Sequence, residues 1–148
     1  VHSGNREDAM PTSSRPMSYA NLHTRSDTDA DTEIRGGYPV SVAEELQSVL
    51  ELTDAEMAQV LGRSRRTYTR YRDQGKQLGL PESERVFRYV RLLRRAADIF
   101  GSEEKAAWWM NEPNAALGGR TPFDAALTAP GASLVDDLLA GLEHGFPV

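Results

Sequence analysis

Residues 53–71 read TDAEMAQVLGRSRRTYTRY, and this stretch decides the fold. Thr53 and Glu56 have the spacing of a capping box. In that motif a hydroxyl and a carboxylate each satisfy a backbone donor that the first helical turn leaves unpaired. The helix they open carries Met57, Val60 and Leu61 and stops at Gly62, a residue suited to a tight turn. Ser64 then caps a second helix, predicted from Arg65 to about Asp73. Ala58 is small where the two helices must pass closely. Met57, Leu61, Tyr68 and Tyr71 are placed to form the inner face. The outer face carries Arg65, Arg66, Thr69, Arg70 and Arg72, with Ser64 and Thr67 near the turn.

These are the mechanics of a helix-turn-helix. The second helix of such a unit enters a major groove N-terminus first, which makes Arg65 and Arg66 the base-reading candidates. A guanidinium matches the two acceptors of guanine, a pairing that discriminates by about 1–3 kcal/mol. Arg63, Arg70, Arg72 and Lys76 are candidates for phosphate contacts, and the backbone donors at Ser64 can meet a phosphate. Tyr68 and Tyr71 could stack on bases, but their helical spacing favours core packing.

The charge distribution supports a polyanion site. The whole chain of 148 residues has a net charge of −5. Residues 63–95 nevertheless carry 11 basic and 3 acidic side chains, against 4 and 11 in residues 1–62 and 2 and 8 in residues 96–148. A segment of +8 between acidic flanks is the electrostatic footprint of nucleic-acid binding.

Outward from this unit, further helices are expected. Ser41 is placed to cap one carrying Val42, Leu46, Val49 and Leu50. A long helix from about Pro81 to Phe100 shows one apolar stripe: Val86, Val90, Leu93, Ala97 and Phe100. Arg88, Arg91 and Arg95 lie roughly opposite; they extend the basic surface, form a solvated face or pair with the acidic C-terminal residues. Gly101 ends this helix and Ser102 caps the next, to about Met110. Asn111 to Asn114 is a turn and Gly118-Gly119 a second break. Thr121 and Pro122 open a short helix. The last helix is predicted from about Ala132 to Glu143, with Gly145 as its stop. Little of the chain alternates with period two. The expected fold is therefore all-α, a helix-turn-helix followed by a small helical domain. The breaks suggest a helix-turn-helix domain at 38–80, a connecting helix at 81–100 and a C-terminal domain at 101–148. Residues 1–37 hold few large apolar side chains and are expected to be disordered, with Gly36-Gly37-Tyr38-Pro39 as the hinge into the folded part.

Other function classes find little support. No run of about 18 apolar residues is present, so no membrane span is expected. The absence of cysteine excludes disulfides and thiol catalysis and fits a cytoplasmic protein. His2, His23 and His144 have no ligand partner at helical spacing. Asp136 and Asp137 are adjacent and project in different directions, a poor arrangement for an acid/base pair. No Gly-rich phosphate loop occurs, and no cofactor or metal is implied. A binding protein, not an enzyme, is the expectation.

The C-terminal third is the most specific part. It contains Trp108-Trp109, Asn111-Glu112-Pro113-Asn114, Leu117-Gly118-Gly119-Arg120-Thr121-Pro122 and Glu143-His144-Gly145. In order and spacing these resemble the toxin-binding domain of the Xre/MbcA/ParS family of bacterial antitoxins, which also carries a preceding helix-turn-helix. The resemblance covers about residues 41–148. It implies the antitoxin of a type II toxin–antitoxin pair. The cognate toxin would be a RES-domain protein that consumes NAD. The chain would form a homodimer and repress its own operon by binding operator DNA. In this family the C-terminal end lies at or near the toxin active site, which makes His144, Gly145, Phe146, Pro147 and Val148 candidates for a blocking segment. Trp108, Trp109, Asn114, Leu117, Arg120, Asp136 and Glu143 are further toxin-binding candidates. Asn114, Leu117, Gly118, Gly119 and Pro122 suit shaping the loop better than contacting the toxin. The two tryptophans cannot face the same way on a helix; one belongs in the core and the other on a partner, and periodicity does not say which. A stand-alone dimeric transcription regulator without a toxin is the alternative reading.

Overall fold

A computed structural model describes residues 18–22 and 26–145. In chain order the helices are α1 (Tyr19–Leu22), α2 (Asp27–Gly36), α3 (Val40–Leu50), α4 (Asp54–Leu61), α5 (Arg65–Gln74), α6 (Leu80–Phe100), α7 (Glu103–Met110), α8 (Pro122–Ala125) and α9 (Ala129–Glu143), with a 3-10 turn at Ala115–Leu117. Among the described residues there is no strand, only an isolated bridge between Pro39 and Gln77. The fold is all-α, as expected.

Local chemistry sets most helix ends. Thr53 Oγ1 accepts from the Glu56 N–H at 3.1 Å, and the Glu56 carboxylate accepts from the Thr53 N–H at 2.9 Å. Ser64, Ser102 and Thr121 each accept from the N–H three residues on. Gly62 ends α4 in the left-handed region at φ 69°. A Cβ there would lie 2.8 Å from Arg85 Nη1, and Arg85 donates to the Leu61 carbonyl at 3.0 Å. The glycine therefore supplies both the turn and the space through which α6 closes the end of α4.

Two helix starts differ from expectation. α3 begins at Val40 rather than after Ser41, because the Val40 N–H is satisfied by the Lys76 carbonyl at 3.1 Å and needs no hydroxyl cap. α9 begins at Ala129, three residues before the expected Ala132. Thr128 Oγ1 accepts from the Gly131 N–H at 3.1 Å, and Pro130 sits in the first turn, where a missing N–H costs nothing.

The expected disorder of residues 1–37 is corrected where the chain is described; its remainder lies outside the described residues. Ser26 caps α2 through the Asp29 N–H, Asp27 and Asp29 occupy its first turn, and Arg35 pairs with Asp31 at 3.0 Å. These are favourable ends for a helix dipole. Ala30 is buried and Ile34, one turn on, packs against the core. Tyr19 and Leu22 of α1 are buried beside α3 and α6. A few well-spaced apolar residues suffice here because a preformed groove receives them, which composition alone does not reveal. Nor is Tyr38 part of an open hinge. It is fully buried, its N–H donates to Ser83 Oγ at 2.9 Å, and its carbonyl accepts from the Leu78 N–H at 2.7 Å.

The 21 residues of α6 span roughly 31 Å and serve both halves of the molecule. Its first turns pack on α2 and α4, its last turns on α7, and α9 runs alongside it from Glu84 to Arg95. Val86, Val90, Leu93 and Ala97 are buried along one stripe and Phe100 is half-buried. The core is one contiguous cluster from Tyr19 to Leu139. The helix expected as a connector is thus a wall shared by both halves. Of the arginines opposite its stripe, Arg88 donates to the Ala126 carbonyl at 3.2 Å and Arg95 pairs with Asp136 and Glu143. Arg91 stays exposed, 5.8 Å from the Phe87 ring centre.

Candidate functional site

Two surfaces matter, one on α5 and one on α7 and α9. At the first, α4 crosses α5 over Met57, Ala58, Leu61, Tyr68 and Tyr71, all buried. A chain of polar contacts fixes the crossing. The Tyr68 hydroxyl donates to Gln47 Oε1, Gln47 Nε2 donates to Asp54 Oδ1 at 2.8 Å, and Arg72 reaches both Asp54 oxygens at 2.8 and 3.2 Å. The Arg72 bonds, then that from Gln47, hold the Asp54 carboxyl down at about 2. Burial pushes the Tyr68 hydroxyl up to about 12, so it remains a donor.

These contacts sort the arginines. Arg72, expected on phosphate, has both Nη nitrogens committed to Asp54. Arg63 donates through Nε to Glu82 Oε2 at 2.9 Å, yet its side chain is 47% exposed beside the turn. Arg65, Arg66 and Arg70 are exposed on α5, and no ion pair holds them among the described residues. Ser64 Oγ accepts from the Thr67 N–H at 3.1 Å while its hydroxyl donates to Thr67 Oγ1 at 2.9 Å. Thr69 Oγ1 donates to the Arg66 carbonyl at 3.0 Å. The Lys76 ammonium lies 4.7 Å and the Arg70 guanidinium 5.8 Å from the Tyr71 ring centre. With both tyrosine rings in the core, the α5 surface is one of arginines and hydroxyls. Such a surface can bind phosphate and read base edges.

Sequence reasoning missed the support behind this surface. Glu82 is 2% exposed and Arg85 closes α4; both come from α6. An acid in a first helical turn is a common local feature, and no local pattern connects it to Arg63, 19 residues earlier.

The second surface is built on α7 and α9. Trp109 packs on Phe100, ring centres 5.5 Å apart, while Trp108 is 65% exposed. Phe100, Lys105, Trp108 and Trp109 line a cleft of about 250 Å³. Asn111 Nδ2 donates to the Leu50 carbonyl at 2.9 Å and ties α7 to α3. Asn114 shapes its loop: Oδ1 accepts from the Ala116 N–H, and its own N–H donates to the Arg120 carbonyl. Leu117, a toxin-binding candidate that also suited shaping the loop, sits in the core, because the 3-10 turn folds it inward, so the loop-shaping reading fits and the toxin contact does not. Arg120 is exposed, with Nε on the Leu117 carbonyl. Asp136 and Glu143 share Arg95, whereas the neighbouring Asp137 is exposed. His144 is the C-cap of α9, and Gly145 follows at φ 76°. Phe146, Pro147 and Val148 lie outside the described residues.

Among the described residues no group of three or more His, Asp or Glu could hold a metal ion, and no helix is long and apolar enough to cross a membrane.

Residues 29–91 match the family model of the antitoxin Xre-like helix-turn-helix domain. Residues 95–145 match that of the antitoxin Xre/MbcA/ParS C-terminal toxin-binding domain. A Yersinia enterocolitica protein named Antitoxin Xre is 36% identical over 113 residues, covering 76% of each chain. A Photorhabdus laumondii protein of the same name is 35% identical over 111 residues, 74% of each chain. A Sphingobium protein named Prs ADP-ribosylating antitoxin is 25% identical over 139 residues, 88% of this chain and 87% of its own.

Proposed function

The chain belongs to the Xre antitoxin family, and from that membership we propose that it neutralises a RES-domain toxin that consumes NAD and represses its own operon as a homodimer. It is a helix-turn-helix antitoxin of a toxin–antitoxin system. The finer reading rests on one observation above all: α6 joins an arginine-lined helix-turn-helix to a toxin-binding domain through a single core. A relative whose name includes ADP-ribosylation supports an NAD-dependent target, since ADP-ribosyl transfer uses NAD.

In this reading Arg65 and Arg66 read guanine edges. Arg63, Arg70 and Lys76 meet phosphates, with the N-terminal donors of α5 beside them. Arg72 acts one step back, by holding α5 on Asp54. Trp108, Arg120 and the acidic side chains of α9 face the toxin, and the segment after Gly145 blocks its active site. The chain works by binding; it supplies no catalytic group. Co-purification of the chain with its cognate RES-domain protein, followed by an NAD-consumption assay, tests this. The expected result is a stable complex in which NAD loss is suppressed. A toxin that consumes NAD equally with and without this chain overturns it.

A further inference from the structure

The exposure of Trp108 invites an explanation. α7 has eight residues, and its phase places Trp109 on Phe100 and leaves Trp108 on the outside. Trp108 is the most exposed large apolar side chain among the described residues and borders an apolar cleft; tryptophan is enriched at protein interfaces. Two different clefts flank the ridge that carries it. On one side is the apolar cleft of Phe100, Trp108 and Trp109, with Lys105 at its rim. On the other is a cleft of about 320 Å³ lined by Ser48, Val49 and Glu51 from α3 and its C-cap, and by Glu103, Glu104 and Ala107 from α7. Glu103 is engaged by Tyr19 and Arg94. Glu51 and Glu104 are exposed and carry no ion pair among the described residues. Glu104 precedes Trp108 by four residues, so the two share one ridge of the helix.

The geometry points to α7 as a two-sided docking ridge for a protein segment that carries an apolar side chain and an arginine or lysine. The apolar group enters the Trp108 cleft and the cation lies over Glu51 and Glu104. This rests on the reading that the C-terminal half holds a toxin, and it names the chemistry of the toxin's contact. Charge sets the direction of docking. Lys105 repels a cation from the apolar side, and the two carboxylates attract it to the other. The partner's order is thereby imposed. A guanidinium also lies favourably over an indole face, so arginine suits the position between the clefts. The acidic cleft draws on both α3 and α7. A cation seated there therefore touches the half that carries the helix-turn-helix as well as the half that matches the toxin-binding domain.

The test is calorimetric titration of the full chain with its cognate RES-domain toxin. Wild type, Trp108→Ala, and the double variant Glu51→Gly with Glu104→Gln are compared. Trp108 is exposed and its loss leaves the core intact. Glu51 occupies a left-handed backbone at φ 54°, which glycine adopts more readily, so a weakened Glu51→Gly variant is not explained by misfolding. Trp108→Ala is expected to lower affinity about thirtyfold, as for a central interface aromatic. The double variant is expected to bind severalfold more weakly at low salt, with a flatter salt dependence of affinity. Wild type that binds while both variants bind equally well overturns the ridge and leaves the toxin reading standing. Wild type that binds no toxin overturns both. A Trp108→Ala chain that loses only self-association assigns the ridge to a second copy and also overturns the proposal.

Discussion

Arg63 Nε donates to Glu82 Oε2 at 2.9 Å, and this bond ties the turn between α4 and α5 to the first turn of α6. The two partners are unequal. Glu82 is buried, with its Oε1 unpaired, while Arg63 is half-exposed. Removing Arg63 leaves a buried carboxylate without its counter-charge. Removing the charge of Glu82 leaves an arginine that water can solvate. Arg63→Met should therefore destabilise the chain more than Glu82→Gln does in urea denaturation. Equal losses, or the reverse order, contradict this asymmetry.

Asp54 makes stability sensitive to acid. Its carboxyl is held at about 2 against an ordinary 3.8, first by the Arg72 bonds and then by Gln47. The unfolded chain thus binds a proton more readily than the folded chain in this window. The contribution is complete above about pH 4 and is lost as pH falls toward 2. An Asp54→Asn variant should show a shallower loss of stability between pH 4 and pH 2 than wild type, measured by thermal melts. An unchanged slope removes Asp54 as the source.

Gly131 inverts a familiar rule. Glycine to alanine inside a helix normally stabilises by about 1 kcal/mol. Here a Cβ would lie 1.7 Å from the Ala125 carbonyl oxygen, a backbone atom with little freedom to move. Gly131→Ala should destabilise by about 3 kcal/mol, since α9 must shift off α8. A variant as stable as wild type in calorimetry contradicts the close approach.

The adjacent tryptophans should separate cleanly. Trp109→Ala removes the contact with Phe100 and should cost about 2 kcal/mol. Trp108→Ala should cost about 0.5 kcal/mol or less, as a surface change. Denaturant midpoints check both. The sequence showed that the two must differ, but the assignment depends on where α6 places Phe100, a relationship that no local pattern holds.

The same distinction runs through the molecule. Thr53, Ser64, Ser102 and Thr121 were legible as caps because each acts within four residues. The crossing of α4 and α5 was legible from Ala58, Gly62 and the periodic apolar positions. The roles of Arg63 and Arg72 were not. Their carboxylate partners lie 18 or 19 residues away, and a count of positive charge treats every arginine alike. The order at Tyr19, Leu22 and α2 was hidden for a related reason. Its apolar side chains are few, and their value comes from a groove made by α3 and α6. Leu117 stood as both a loop-shaping and a toxin-binding candidate because a motif shared with a toxin-binding family does not say which of its residues face outward; its burial leaves the first role.

The most direct measurement is a separation of the two binding activities in Arg65→Ala with Arg66→Ala. Both side chains are exposed on α5, whereas the exposed Trp108 lies on α7, which follows the far end of α6. Operator affinity by gel shift and suppression of toxin NAD consumption should be measured on one preparation. Operator binding should be lost while suppression stays at the wild-type level. Unchanged operator affinity, or loss of both activities in a folded variant, would contradict the division of labour between α5 and the C-terminal half.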